Sequence, residues 1–138
     1  NDSMGPYLAR QTVKKLIANG KTIVQSRVLV MGATFKEDVS DIRNSKVASV
    51  VDELKSFGVS VEVHDPHASN EEINHEYGFE LIPEISGKYD AVIVAVNHSD
   101  YLSLNEEYFD GLLKDGGVLV DVKGIYREKN KSLNYLSL

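Results

Sequence analysis

The sequence predicts an α/β domain: a Rossmann-like open, mostly parallel sheet with helices on both faces, preceded by one long helix. Apolar runs rich in β-branched residues recur along the chain, and segments with apolar residues every three or four positions separate them. Strands that alternate with helices imply parallel pairing through right-handed crossovers. A chain of 138 residues is long enough for one compact domain with its own core.

A leading helix and a strand–helix–strand unit form the first half of the chain. The leading helix is predicted over residues 5–19, before Gly20, from an apolar stripe made of Met4, Leu8, Val13, Leu16 and Ile17. The apolar run 27–31 predicts a strand buried on both faces. Helical spacing then starts at Ser45 and ends at Phe57-Gly58, and alternating valines predict a second strand over 59–63.

The second half continues the alternation of helices and strands. Its predicted elements are a helix over 70–77, a short strand over 79–82, a buried strand over 91–96, a helix over 105–113 and a last strand over 118–122. The tail from Arg127 to Leu138 is polar and then mildly apolar. Its composition leaves open whether it docks on the domain or stays mobile.

Composition limits the classes of function. The net charge is −6 and the charges are interspersed, so no basic stripe for nucleic acid is present. No apolar run approaches the length of a membrane span, and no signal peptide is recognisable, so a cytoplasmic protein is expected. The absence of cysteine excludes disulfides, thiolate metal sites and a cysteine nucleophile in this chain. His64 and His67 lack nearby third and fourth ligands, so no metal site is expected.

The loop after the first strand is the main candidate for ligand binding, because open α/β sheets bind ligands at the carboxyl ends of their strands. It begins at Gly32, lacks a GxGxxG pattern and carries Lys36 and Arg43 before the next helix. Two cations, free amides and a helix N-terminus favour an anion such as a diphosphate. Alternatively, Arg43 pairs with Asp41 or Asp38 within the loop, and Lys36 is only solvated.

Two further segments follow strands at the same edge of the sheet. Lys123 follows the last strand and faces the same crevice, although an exposed lysine there could equally be solvated. After the strand over 91–96, Ser99 is expected to cap a short helix, and His98 is expected to be a surface histidine beside that cap or at the mouth of the crevice. Asp65 ends the second strand, but without a glycine fingerprint it does not indicate an adenosine ribose site.

These segments carry a resemblance to a known family. The loop residues 32–37 and 41–45 resemble the G-x-T/A-F-K…D-x-R-x-S signature of the UDP-binding domain in the UDP-glucose/GDP-mannose dehydrogenase family. Residues 63–66 are similar to its V-x-D-P motif, and residues 121–124 to its final-strand motif. Asn1-Asp2 and the helix after them resemble its central helix. The resemblance thus divides the chain into the end of a central dimerisation helix region, residues 1–21, and a UDP-binding Rossmann-like domain, residues 22–138.

The resemblance also implies an activity for a longer parent protein. Members oxidise the C6 alcohol of a UDP-sugar to the carboxylate with two NAD⁺ and a cysteine thioester, and the NAD site and the cysteine lie in the parts before this domain. This chain therefore holds no catalytic residue and is expected to be inactive alone. Phe35 and Lys36 match residues that line uracil, ribose and diphosphate, and Lys123 matches a basic residue that holds the nucleotide. Arg43 matches the signature arginine, which either binds UDP or organises the loop.

Resemblance favours one substrate class and one assembly. Residues 97–101 and 122–126 look more like members that act on UDP-N-acetylhexosamines for capsule or other surface polysaccharides than like UDP-glucose 6-dehydrogenases. The leading helix implies a homodimer, unless its apolar stripe packs only on its own domain. A free-standing nucleotide-binding or oligomerisation module is the alternative. A phospho-acceptor receiver domain is disfavoured because Gly32, Ala33 and Asn97 stand where it needs acidic residues.

Overall fold

A five-stranded parallel sheet forms the centre of the computed structural model, which describes residues 4–128 and 133–137. The strands are β1 (Arg27–Met31), β2 (Ser60–His64), β3 (Tyr89–Val94), β4 (Leu113–Asp121) and β5 (Asn134–Ser137). Their order across the sheet is β2-β1-β3-β4-β5, and every neighbouring pair is parallel. The predicted fold class is therefore confirmed.

Helices cover both faces of this sheet. They are α1 (Met4–Ala18), α2 (Val47–Ser56), α3 (Asn70–Tyr77), α4 (Ser99–Leu102) and α5 (Glu106–Leu112), with a 3-10 turn at Ile23–Gln25. Alternate residues of β1 point to opposite faces: Val28 joins the core beneath α1, α2 and α3, whereas Leu29 joins the core beneath α4 and α5. In the part of the chain that the structure describes, no helix is long and apolar enough to cross a bilayer.

The strand predicted over residues 79–82 is wrong. This segment makes one isolated parallel bridge, between Leu81 and Val63 of β2. Its backbone is divided between two partners: the Ile82 amide donates to the Val63 carbonyl at 2.8 Å, whereas the Leu81 amide donates to the Asn70 side chain at 2.6 Å. Pro83 follows immediately and has no N–H to continue a ladder. The prediction over 91–96 is also shifted, since β3 ends at Val94 and the next two residues leave the sheet at its carboxyl edge.

The tail contributes the fifth strand, which the sequence left open. β5 pairs with β4 in register from Val118–Asn134 to Asp121–Ser137. The Tyr135 hydroxyl also donates to the buried Asp121 carboxylate at 2.6 Å. Burial and this hydrogen bond raise the pKa of Tyr135 to about 12. The tail is therefore part of the sheet, although residues 129–132 lie outside the described part of the chain.

The apolar stripe of α1 is divided between core and solvent. Leu8, Val13 and Leu16 are buried against the sheet and α2, while Met4 and Ile17 are 43% and 58% exposed. The contact with α2 is close at Gly5, where a Cβ atom would lie 2.5 Å from Ser49 Cβ. Only glycine lets the two helices approach to this distance without a shift.

Gly5→Ala should lower the free energy of unfolding by about 1–3 kcal/mol, because the added methyl group forces α1 away from α2. Gly111→Ala is the matched control: it lies in α5 with no atom within 4 Å of its would-be Cβ. The control should raise the free energy of unfolding by about 0.5–1 kcal/mol through helix propensity. Urea unfolding of both variants checks this, and equal effects would contradict the close helix contact.

Candidate functional site

A cavity opens at the carboxyl edge of the sheet, next to the boundary between β1 and β3. At this boundary the strand order changes direction, since β1 is followed by β2 on one side and β3 continues on the other. The loops that follow β1, β3 and β4 line the cavity together with α1 and the start of α2. The lining residues are Thr34, Phe35, Lys36, Glu37, Ala95, Val96, Asn97, Val122, Lys123, Met4, Gly5, Leu8, Lys46, Val47 and Val50. The sheet thus brings together residues that are far apart in sequence.

Three lysines line this cavity. Lys36 follows β1, Lys123 follows β4, and Lys46 precedes the first turn of α2. None of the three forms a salt bridge with any residue in 4–128 or 133–137, whereas Lys21 and Lys114 both pair with Asp90. Three cations without a carboxylate partner beside a helix N-terminus favour an anionic ligand.

Two residues of the cavity were missed by the sequence analysis. Lys46 was counted with the helix, although its place at the end of the candidate ligand-binding loop was a signal. Asn97 follows β3, and its side-chain oxygen is buried without a hydrogen-bond partner among the described residues. Nothing in the sequence around Asn97 indicated this burial.

Phe35 is 53% exposed beside the cavity. Its backbone N–H donates to the Asp41 carbonyl at 2.7 Å, which closes the loop upon itself. Gly32 begins the loop with φ of +101°, and a Cβ there would lie 2.7 Å from Val96 Cβ. The turn from β1 into the cavity therefore requires glycine.

Arg43 lies outside this cavity. It borders a separate surface depression with Glu72 and Glu76 of α3. Its guanidinium donates two hydrogen bonds of 3.1 Å to the Asp41 carboxylate, and these bonds lower the pKa of Asp41. Of the two cations that the sequence placed in the loop, the structure brings only Lys36 to the cavity.

A buried carboxylate holds the base of the loop. Asp65 follows β2, and its oxygens accept hydrogen bonds from the Ala33 amide at 2.6 Å, the His67 amide at 2.7 Å and His98 Nε2 at 2.9 Å. Burial alone raises the pKa of the Asp65 carboxyl, but the hydrogen bonds, led by the one from His98, outweigh it and keep that pKa below its usual value. Asp65 therefore acts as an ionised structural anchor.

The predicted surface position of His98 is wrong, because its side chain is completely buried. Its Nδ1 atom accepts the backbone N–H of Asp38 at 2.9 Å. The role expected of Ser99 is also wrong, since Ser99 is the first residue of α4. Asp38 takes the capping role, and its carboxylate accepts hydrogen bonds from the Ser99 amide at 2.7 Å and hydroxyl at 3.0 Å.

Asp38, His67 and His98 bring three possible metal-ligand atoms within 4.8 Å of one another. The further ligand atoms that the sequence near His67 could not supply thus come from two distant loops. However, the only lone pair of His98 Nδ1 already accepts the Asp38 amide. Coordination by His98 would require that hydrogen bond to break, so the cluster is better described as a hydrogen-bond network.

Comparison with known proteins gives a consistent result. A family profile described as "UDP-glucose/GDP-mannose dehydrogenase family, UDP binding domain" matches residues 29–128. A UDP-N-acetyl-D-glucosamine 6-dehydrogenase of Salmonella typhi is 41% identical over 89% of this chain and 29% of its own length. The Pseudomonas aeruginosa enzyme of that name is 40% identical over 96% of this chain and 32% of its own length. The chain thus spans about a third of these relatives.

A solved structure agrees with the sequence relatives. The NDP-N-acetyl-D-galactosaminuronic acid dehydrogenase of Methanosarcina mazei superposes with a TM-score of 0.78 and 26% identity. The superposition covers 100% of this chain and 29% of that protein. The arrangement of strands and helices is therefore shared with one part of a longer dehydrogenase.

Asp65→Asn should destabilise the domain by about 2 kcal/mol or more, because an amide group would face buried N–H donors. The lowered pKa of Asp65 stabilises the fold above the ordinary carboxyl pKa of 3.8, and this contribution is lost as the pH falls through the folded-state value. The difference between wild type and variant should therefore shrink below about pH 4. Urea unfolding from pH 7 to pH 2.5 measures it.

Asp52→Asn is the control, because Asp52 is exposed on α2. It should change the free energy of unfolding by less than about 0.5 kcal/mol at every pH. An Asp65→Asn variant as stable as this control would contradict the anchoring role.

Proposed function

This chain belongs to the UDP-glucose/GDP-mannose dehydrogenase family, and we propose that it is the UDP-sugar-binding domain of an NAD-dependent UDP-sugar 6-dehydrogenase. One observation carries the proposal at the level of chemistry. Lys36 and Lys123 follow different strands, and both line one cavity at the carboxyl edge of the sheet. Two cations from different loops that line one cavity suit the two phosphates of a nucleoside diphosphate.

In this proposal each side chain has a defined task. Lys36 and Lys123 flank the diphosphate, and Lys46 adds positive charge at the N-terminus of α2. Phe35 offers its exposed face or its backbone to the uridine. Arg43 organises the loop through Asp41 and does not contact the ligand, which its position outside the cavity supports.

Chemistry in the proposed parent is divided between parts of the chain. The parent oxidises the C6 alcohol of the UDP-sugar to a carboxylate, and two NAD⁺ accept the electrons. This chain has no cysteine. In the proposed parent, as the family resemblance implies, the thioester-forming cysteine and the NAD site lie in the parts before this domain. Residues 1–21 then form the end of the central helix region, and residues 22–138 form the UDP-binding domain. This domain contributes affinity and orientation, which lower the barrier to reaction by fixing the substrate.

The proposed substrate is a UDP-N-acetylhexosamine, and its uronate product serves surface polysaccharide synthesis in the cytoplasm. The two relatives that act on UDP-N-acetyl-D-glucosamine, at 41% and 40% identity, support this class of sugar. The name of the solved dehydrogenase from Methanosarcina mazei also contains an N-acetyl-D-galactosamine-derived sugar acid. All three observations point to an acetamido sugar on the nucleotide.

Titration of UDP, UMP and NAD⁺ into the ¹⁵N-labelled chain tests the site. UDP should shift the amide signals of residues 33–37 and 122–124. Lys36→Ala and Lys123→Ala should each weaken UDP binding on the order of tenfold, because each removes a charge-assisted contact to phosphate. Phe35→Ala should lower the affinity without changing its dependence on salt, because an aromatic contact carries no charge.

Lys55→Ala is the matched control, since Lys55 lies in the last turn of α2, away from the cavity. This variant should bind UDP as the wild type does. Stronger shifts of residues 33–37 with NAD⁺ than with UDP, or UDP shifts confined to other regions, would overturn the nucleotide-binding role.

We also propose that the parent is a homodimer that associates through α1. Met4, Tyr7 and Ile17 are exposed on this helix, at 43%, 46% and 58%. Light scattering of the chain at high concentration should give the mass of two chains, and Ile17→Glu should return it to one. Lys55→Glu, an exposed change on α2 instead of α1, is the control and should leave the dimer intact. A wild-type monomer at high concentration would count against association through α1.

A further inference from the structure

His98 contacts the loop of residues 33–38 at several points without lining the cavity. Its ring is completely buried between the ends of β1, β2 and β3. It makes hydrogen bonds with the Asp65 carboxylate and the Asp38 amide, and its Nε2 lies 3.3 Å from Thr34 Oγ1. Phe35 and Lys36 lie between Thr34 and Asp38. We propose that His98 is a positioning residue that holds residues 33–38 in the conformation that presents Phe35 and Lys36 to UDP.

The hydrogen bonds fix the tautomer of His98. Nδ1 faces the Asp38 N–H, which can only donate, so Nδ1 must carry the lone pair. Nε2 then carries the proton and donates to the Asp65 carboxylate at 2.9 Å. The neutral ring with hydrogen on Nε2 is thus the one form that satisfies both neighbours.

Three connections transmit this orientation to the loop. At the start of the loop, the Ala33 amide shares the Asp65 carboxylate with His98. In the middle, Thr34 lies beside the Nε2–H group and donates its own hydroxyl hydrogen to the Lys36 carbonyl at 2.8 Å. At the end, Asp38 donates its amide to Nδ1. The backbone on both sides of Phe35 is therefore linked to one imidazole, directly at Asp38 and through Asp65 and Thr34 at the other positions.

The loop needs this support because, apart from the hydrogen bond between the Phe35 amide and the Asp41 carbonyl, its own side chains do little to fix its backbone. Phe35, Lys36 and Glu37 are all exposed, so no burial of their side chains fixes the backbone. Asp38 has φ of +59°, which is unfavourable for a residue with a side chain and persists only where neighbouring groups enforce it. The bonds from Asp38 to His98 and Ser99 enforce it here.

A purely packing role for His98 makes a different prediction from a positioning role. The ring lies 4.5 Å from the His67 ring and 5.4 Å from the Tyr101 ring, measured between centroids. Phenylalanine would keep these contacts but lose both hydrogen bonds. Glutamine has one donor and one acceptor group and can replace both bonds at the expense of packing. The two substitutions therefore separate the roles.

The inference rests on the proposed UDP site, and the test compares UDP affinity in His98→Phe and His98→Gln. His98→Phe should weaken UDP binding about tenfold, the effect of losing one ordered contact to phosphate. His98→Gln should recover most of that loss. Phe109→Leu, which alters the core beneath α5 without touching the loop, is the control for a general loss of stability and should bind UDP like the wild type. Dispersed amide spectra verify the fold of each variant.

A measurement on the wild type covers the case in which His98→Phe does not fold. Ring ¹⁵N shifts should show hydrogen on Nε2 and a bare Nδ1, and saturating UDP should slow exchange of the Asp38 amide. Hydrogen on Nδ1 would overturn the inference, as would unchanged UDP affinity in a folded His98→Phe or an equal loss in Phe109→Leu. Failure of the wild type to bind UDP at all would instead remove the proposed function, and the inference with it.

Discussion

The buried carboxylate of Asp65 is the constraint on which the functional edge of this domain depends. A charge removed from water is tolerated only when its oxygens are fully hydrogen-bonded. Here the donors come from the ends of three neighbouring strands: Ala33 after β1, His67 and Ala68 after β2, and His98 after β3. Satisfying one carboxylate therefore fixes three loops relative to one another, and the cavity lies beside them.

Negative and positive side chains near the edges of the sheet differ in whether they have ionic partners. Carboxylates near the sheet edges are mostly committed to partners, as Asp90 is to Lys21 and Lys114 at the opposite edge. Lys36 and Lys123 stay outside such pairs in the described part of the chain, so their attraction for an anion is not already neutralised. A domain with a net charge of −6 can thus hold a local positive site.

The sequence was sufficient to predict the strands whose apolar composition itself indicates burial: β1 with its bounds, and β3 with a shift of two residues. It failed where neighbours in space decide the outcome. Residues 79–82 have strand-like composition, but Pro83 and the Asn70 side chain end the pairing after one bridge. The tail is only mildly apolar, and its pairing depends on the free edge of β4. The burial of His98 likewise depends on Asp65 and Asp38, which are 33 and 60 residues away.

The close contact of Gly5 with α2 sets the position of α1, and the tilt of α1 in turn affects the shape of the cavity. A helix of 15 residues is about 22 Å long, and its far end is tied to the sheet by the Lys21 ammonium on the Asp115 carbonyl. Its near end, with Met4 and Gly5, forms a wall of the cavity. A tilt of only about 5° around the tied end would move that wall by about 2 Å, given this length. The width of the cavity therefore depends on the tilt of this one helix relative to the sheet.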